Sequence, residues 1–369
     1  MYDDKLSNLQ VFFFGMMAVV GGTILYMPQE AAVYSETGGW LSILIAGIII
    51  IIFIKMIAAM SMKNDGRMFF EYSGDVFGNK LSKVVNAIMV VNFLLMFVVD
   101  VLIFAFVMRG VYMPKTPYWA FAIMLAILTI FVASRKLKVI SFLSVVFGIF
   151  VYIFVALIFL LISSEGKITN IMPLFIPELL PDYLIGGVRL LHFFSGFLCF
   201  LFVPFYTQGK KKNVNAACWS MVLLILYYIL SYETCLALAG SAELKVYKSL
   251  MIAIAKRVRL EQFGMLQRAD IFLFASYITT VMVSMVINMY GCIAGVGAIT
   301  KKKGNRNLRA AVLTLVGFMI VFALLFGNHI GHLSKMVYVN ILAIIIVIIA
   351  FFIILIKEKK CKTKEDSSS

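Results

Sequence analysis

Long apolar runs alternate with short polar stretches along the whole chain, and the runs have the length of bilayer spans. About 20 consecutive apolar residues cross the hydrocarbon core as a helix. On that basis the pattern predicts ten helices, at 9–34, 40–62, 84–108, 118–134, 139–162, 184–207, 214–239, 267–298, 310–327 and 337–356. The last is the clearest, since Ile341 to Ile356 carries no charge. The first is interrupted in its middle by Val20-Gly21-Gly22-Thr23-Ile24-Leu25-Tyr26-Met27-Pro28. Two glycines weaken helix continuity, and the proline lacks a backbone donor. In hydrocarbon, the freed N–H and C=O groups persist only where they face protein, water or ligand. One transporter class builds its solute site from such discontinuous helices at mid-membrane. The same glycines also fit a packing kink, so the break alone leaves both readings open.

Ten spans divide into five plus five, and an odd number of spans per half is what an inverted repeat requires. The expected organisation is one transmembrane domain over 1–369: a first repeat at 1–162, a second at 184–356 and a basic tail at 357–369. The second half should then also open on an interrupted helix. Span 6 contains Ser195 and Gly196 near its centre, with Pro204 eight residues after the glycine. Interruptions at corresponding places in both halves favour a midplane binding site. Gly21, Gly22, Thr23, Ser195 and Gly196 are its expected contact residues. Exposed N–H groups at the start of a second half-helix attract a carboxylate. Exposed carbonyls on the other side attract an ammonium, so an amino acid zwitterion fits without any charged side chain.

Composition agrees with this pattern and narrows the function. The chain of 369 residues is 63% hydrophobic and 14% charged, outside the range of soluble domains. The fold class expected is therefore all-α, a polytopic membrane protein. The net charge of +15 does not point to nucleic acid. Its lysines and arginines gather in alternate loops around Lys63–Lys83, Arg135–Lys138, Lys210–Lys212 and Lys301–Arg309, and in the tail at Lys357–Lys364. The positive-inside rule puts these loops and both termini in the cytoplasm. The acidic start, Met1-Tyr2-Asp3-Asp4-Lys5, shows no cleavable signal peptide. One basic stretch lies on the other side: Lys245–Arg259 has helical apolar spacing and a basic face. It is expected to lie flat on the outer surface, either as a lid over the solute site or as an ordinary interfacial helix.

Asp100 stands deep in span 3, where an acid is costly unless it is paired or solvated. It is expected to serve the site, to reach water as a span-end residue, or to be a structural partner for Arg109. Asn92, two turns earlier, faces the same cavity or joins helices. Arg189 and Glu233 are expected to pair as a structural bridge, and Arg268 and Asp270 open span 8 as a gate or a charged interfacial turn. Four of the five cysteines lie in apolar spans without metal spacing, and His192, His329 and His332 form no metal constellation. Gly291, Gly295 and Gly297 form a small-residue packing face. No P-loop, catalytic triad or carboxylate dyad is present, so neither a cofactor nor an enzymatic activity is expected.

The segment Gly21 to Pro28, the following Gly39-Trp40-Leu41, the stretch Phe194-Ser195-Gly196-Phe197 to Pro204, and above all Phe263-Gly264-Met265-Leu266-Gln267-Arg268-Ala269-Asp270-Ile271-Phe272 resemble the permease-like B subunit of spore germinant receptors. The resemblance covers nearly the whole chain. It implies the LeuT-type five-plus-five fold of the amino acid–polyamine–organocation transporters. It also implies a nutrient-sensing role, chiefly for amino acids, in the inner membrane of a dormant spore, beside an A subunit and a lipoprotein C subunit. An amino acid permease is the alternative. Three positions depart from the family pattern. Gln267 stands where many relatives carry Glu, Phe197 where an acid often sits, and Lys248-Ser249 where a proline–hydroxyl pair is usual. An ion-coupled step resting on those acids is therefore not implied for this chain.

Overall fold

A positive φ at Gly21 ends the first helix. α1 (Asn8–Val20) opens on a Ser7 cap whose side chain and Gln10 satisfy each other's backbone N–H groups. It stops where Gly21 adopts φ 31° and ψ −136°, a backbone that side chains other than glycine rarely adopt. One tight turn, Thr23–Leu25, leads to α2 (Met27–Ser35). Pro28 is not the breaker that the sequence pattern implies. It stands in the first turn of α2, where a missing N–H costs nothing and a fixed φ helps start the helix. The computed structural model describes residues 6–21, 23–163, 166–205, 212–246, 269–300, 305–326 and 336–366.

The remaining helices are α3 (Gly39–Lys63), α4 (Phe69–Phe77), α5 (Leu81–Val107), α6 (Tyr118–Ala133), α7 (Leu137–Ser163), α8 (Leu180–Leu190), α9 (Lys212–Val246), α10 (Ala269–Thr300), α11 (Arg306–Phe326) and α12 (Met336–Asp366). No strand occurs among the described residues. Six helical stretches are long and apolar enough to cross a membrane, and Asn8–Val20, Tyr118–Ala133 and Asn340–Ile356 are shorter apolar helices. Their lipid-facing sides are apolar as well: Ile127, Phe131, Phe142 and Ile153 are all more than half exposed. α4 has no counterpart among the expected spans. It buries Phe69, Tyr72, Ser73 and Val76, the i, i+3, i+4, i+7 face of a short amphipathic helix.

Span 6 departs from α geometry differently from helix 1, and this corrects the expected break at Gly196. α8 passes without a gap into a 3₁₀-helix, Leu191–Phe202, which ends at extended Val203 just before Pro204. Twelve residues of 3₁₀ winding are unusual, because side chains three apart eclipse. Crowding on every side accompanies it here, for each residue from Phe193 to Phe202 is buried. The closest approach is at Gly196. A Cβ there would lie 2.6 Å from the Ala18 carbonyl carbon and 2.7 Å from Val19 Cα. The two unusual helices therefore meet backbone to backbone.

α10 runs along α5 and α7, and α3 packs against α8 and α9, with α1 and α2 enclosed between them. At the end of the bundle where α1 begins, Phe14, Phe70, Phe93, Phe202 and Tyr290 interlock with centroids 5.4–6.4 Å apart. Gly291 makes room for this cluster, since a Cβ there would meet Phe93 at 3.0 Å and Phe202 at 2.9 Å. Gly295 packs against Phe70 in the same way, at 3.1 Å, and Gly297 faces Arg309. The small-residue face thus seats aromatic rings.

Candidate functional site

The break in helix 1 exposes the last carbonyls of α1, and side chains from distant helices meet them. Tyr228 of α9 donates its hydroxyl to the Val19 carbonyl at 3.5 Å, and Ser284 of α10 lies 3.4 Å from the Ala18 carbonyl. The Ser284 hydroxyl makes its shorter bond, 2.8 Å, to Asp100 Oδ2. Asn288, one turn on, donates its amide to the same oxygen at 3.3 Å. All three polar side chains are nearly fully buried. Their carboxylate faces the break directly: a Cβ on Gly21 would lie 3.1 Å from Asp100 Oδ1 and 2.9 Å from Ser284 Oγ. A side chain at position 21 would thus fill the space between backbone and carboxylate.

The electrostatics of this point are strongly polarised. The C-terminal end of α1 carries partial negative charge, and the Asp100 carboxylate adds a full one. Six residues on, α2 begins at Met27 with no side-chain cap at Tyr26, so its first N–H groups have no partner within the helix. A cation is favoured beside Gly21 and an anion beside Met27. A small cavity of about 20 Å³, room for roughly one water molecule, adjoins the break between Val20, Ile24, Leu25, Val155, Ser276 and Tyr277. The hydroxyls of Ser276 and Tyr277 have no hydrogen-bond partner among the described residues.

The sequence-predicted residues fall into three groups. Gly21 and Asp100 come together at the break, Gly196 lies against Ala18 and Val19 just before it, and Ser195 is buried beside Gly196. Asn92 does not join them. Its amide donates to Asn340 Oδ1 at 2.6 Å, so it ties α5 to α12. Gly22 and Arg268 lie outside the described residues, as does most of the expected outer helix, which is described only to Val246. Of Thr23 and Asp270 only the backbone is described, in the tight turn and in the first turn of α10 respectively.

Two expected pairings are overturned. Arg189 donates to the Tyr34 hydroxyl at 3.0 Å and stacks over that ring, instead of reaching Glu233. Both Glu233 oxygens are buried without a hydrogen bond among the described residues. Arg109 stacks over Tyr118 at 4.4 Å, while Asp100 turns to α10. His192 Nδ1 sits 2.6 Å from the Arg189 carbonyl. Among the described residues no three of His, Cys, Asp and Glu gather as a metal group.

The α10 contribution was missed from the sequence although a signal was there. Ser276, Thr280, Ser284 and Asn288 recur every four residues through an apolar span, which places them along one helix face. All four are buried, and the last two hold Asp100.

Comparison with known proteins agrees with this architecture. Among solved structures, the chain is similar to a Na+-coupled sialic acid symporter in a substrate-bound outward-open state, with a TM-score of 0.64 at 11% identity, covering 95% of this chain and 78% of that one. It is also similar to MhsT in complex with L-phenylalanine, with a TM-score of 0.59 at 14% identity, covering 94% and 88%. These likenesses show the LeuT-type fold. Among curated proteins, it is 23% identical over 334 residues to spore germination protein B2 of Bacillus subtilis, covering 87% of each chain. It is 22% identical over 305 residues to spore germination protein YndE of the same organism, covering 81% and 82%. A family profile described as spore germination protein matches residues 5–329. An all-helical LeuT-type bundle and a family match over most of its length together assign this chain to the spore germination protein family of permease-like membrane proteins.

Proposed function

We propose that this chain is the nutrient-sensing membrane subunit of a spore germinant receptor, and that it binds an amino acid at the break of helix 1. One observation carries the reading: a buried carboxylate, Asp100, oriented by Ser284 and Asn288, stands against the Gly21 backbone so closely that only glycine fits there. In this reading the ammonium group sits between Asp100 and the last α1 carbonyls. The carboxylate takes the N–H groups at the start of α2, with Gly22 and Thr23 beside it. Ser195 and Gly196 hold the facing wall. Arg268 and Asp270 guard the approach along α10. The two halves, 1–162 and 184–356, are inverted repeats around this point. Both termini are cytoplasmic, the membrane is that of the spore interior, and the A and C subunits relay the bound state. Support comes from the family match and from the fold it shares with MhsT, solved in complex with L-phenylalanine.

Asp100→Asn tests the reading, because it removes the charge and keeps the shape. A hydrogen bond to a charged group contributes roughly 1.5–3 kcal/mol. The nutrient concentration for half-maximal germination should therefore rise about tenfold to a hundredfold at matched protein level. An unchanged concentration would overturn the ammonium site. The alternative, an amino acid permease, draws on the fold shared with a Na+-coupled sialic acid symporter. Uptake of labelled amino acid into vesicles carrying the purified chain alone would favour it over the sensor.

A further inference from the structure

At the end of the bundle away from the start of α1, the outer half of helix 1 is tied to α9 by an arrangement that no span pattern anticipates. α2 ends at Glu36, whose φ of 48° and ψ of −121° are unusual for a residue with a side chain. Such a conformation persists only where its surroundings over-determine it, and it clusters at switch regions. Glu36 is held from three sides. Its N–H donates to the Ala32 carbonyl, its carbonyl accepts from the Tyr232 hydroxyl, and its carboxylate takes Lys245 Nζ at 2.9 Å. Lys245 is bound a second time, since its carbonyl accepts from the Gln29 amide at 3.0 Å. One residue of α9 therefore grips α2 at both ends, by side chain and by backbone.

Lys245 reaches this position through a bend. Gly240, with φ 76° and ψ 164°, breaks the line of α9 and redirects its last turn. Just before the bend, the Ala237 carbonyl accepts from the Lys167 N–H at 2.9 Å and from the Asn170 amide at 2.8 Å. The strap is thus anchored below its hinge and fastened to α2 above it.

We infer that Gln29, Glu36 and Lys245 form a clasp that holds α2 in its closed position over the break, and that releasing it admits solute from that end. Movement of α2 away from the end of α9 must part both bonds, because Gln29 and Glu36 are both held by Lys245. The ion pair is built to open: its side chains are 34% and 50% exposed, and pairs so exposed shift an equilibrium by only about two- to fivefold. The inference goes beyond the nutrient reading, and its test uses no nutrient, so the two can fail separately.

The test is a reporter thiol, Ser276→Cys, in the small cavity beside the break, in the detergent-purified full chain carrying Cys218→Ser and Cys361→Ser. A small neutral thiol reagent is applied to four proteins: the reporter alone, with Glu36→Lys, with Lys245→Glu, and with both reversals. Each single reversal sets like charges together and should speed labelling about three- to tenfold. The double reversal should return it to within about twofold of the reporter alone. Equal rates in all four, or a double variant as fast as the singles, would overturn the clasp. Gln29→Ala, which removes only the second bond and no charge, should also speed labelling. It decides the matter if a reversal proves misfolded by gel filtration, and an unchanged rate in Gln29→Ala would then overturn the clasp.

Discussion

Gly196 shows how one residue type can be expected for one reason and required for another. Paired with Gly21, it reads in the sequence as a gap for ligand. In the structure it is also a crossing point where the backbones of span 6 and α1 touch. Gly196→Ala should force the two segments apart. Overpacking of this kind costs roughly 1–3 kcal/mol. The expected result is a lower Tm in detergent with part of the nutrient response kept. Gly110→Ala, where a Cβ meets nothing within 4 Å, is the control and should leave Tm unchanged. Equal Tm values for the two variants would show that the close approach at Gly196 is relieved without cost. Asp100 is the opposite case. Its depth in span 3 already marked it as costly and therefore purposeful, and the structure adds the partners that orient it.

At the scale of elements, the spans were legible because hydrocarbon admits so few backbone solutions. The break in helix 1 was legible too, since paired glycines weaken helix continuity, although they fit a packing kink as well. The winding of span 6 was not, because Leu191–Phe202 is apolar throughout and its 3₁₀ geometry accompanies crowding by neighbours. α4 was overlooked beside the longer runs, although its buried face has ordinary helical spacing. Polar residues within spans signal contacts between elements without naming the partner. Asn92 was read toward the cavity or as a link between helices; it is a link, to Asn340 of α12. Interhelical hydrogen bonds in membranes average about 0.6 kcal/mol. A double-mutant cycle of Asn92→Ala and Asn340→Ala, followed by unfolding in mixed micelles, should return a coupling of that order. Strict additivity would mean the bond contributes nothing to holding α12 in place.

For the whole molecule, the arrangement of charge links the sequence to the two ends of the bundle. The sequence distributes basic residues over alternate loops. The structure brings several of those loops to one end of the bundle: Ser61 links the Arg67 turn to Phe205, and Asn213 at the start of α9 reaches the Leu6 carbonyl. The clasp lies at the other end. The positive-inside rule predicts that the first end faces the cytoplasm. A cysteine introduced at Asn305 should therefore stay unlabelled by an impermeant reagent applied outside intact cells, and one at Ile168 should react. The reverse pattern would invert the topology and put the clasp on the cytoplasmic side.

The amino-acid sequence by itself determined that this is a helical membrane protein, where most of its spans run, and that helix 1 breaks between Val20 and Met27. Each of these follows from local chemistry: the length of apolar runs and the backbone freedom of glycine. Only the tertiary structure decided which polar groups meet. Asp100 chose Ser284 and Asn288, 184 and 188 residues away, over the nearer Arg109. Arg189 chose Tyr34 over Glu233, and Lys245 closed on Glu36 across 209 residues. Spacing along a helix tells which face a side chain is on, but its partner depends on which other helix packs against that face.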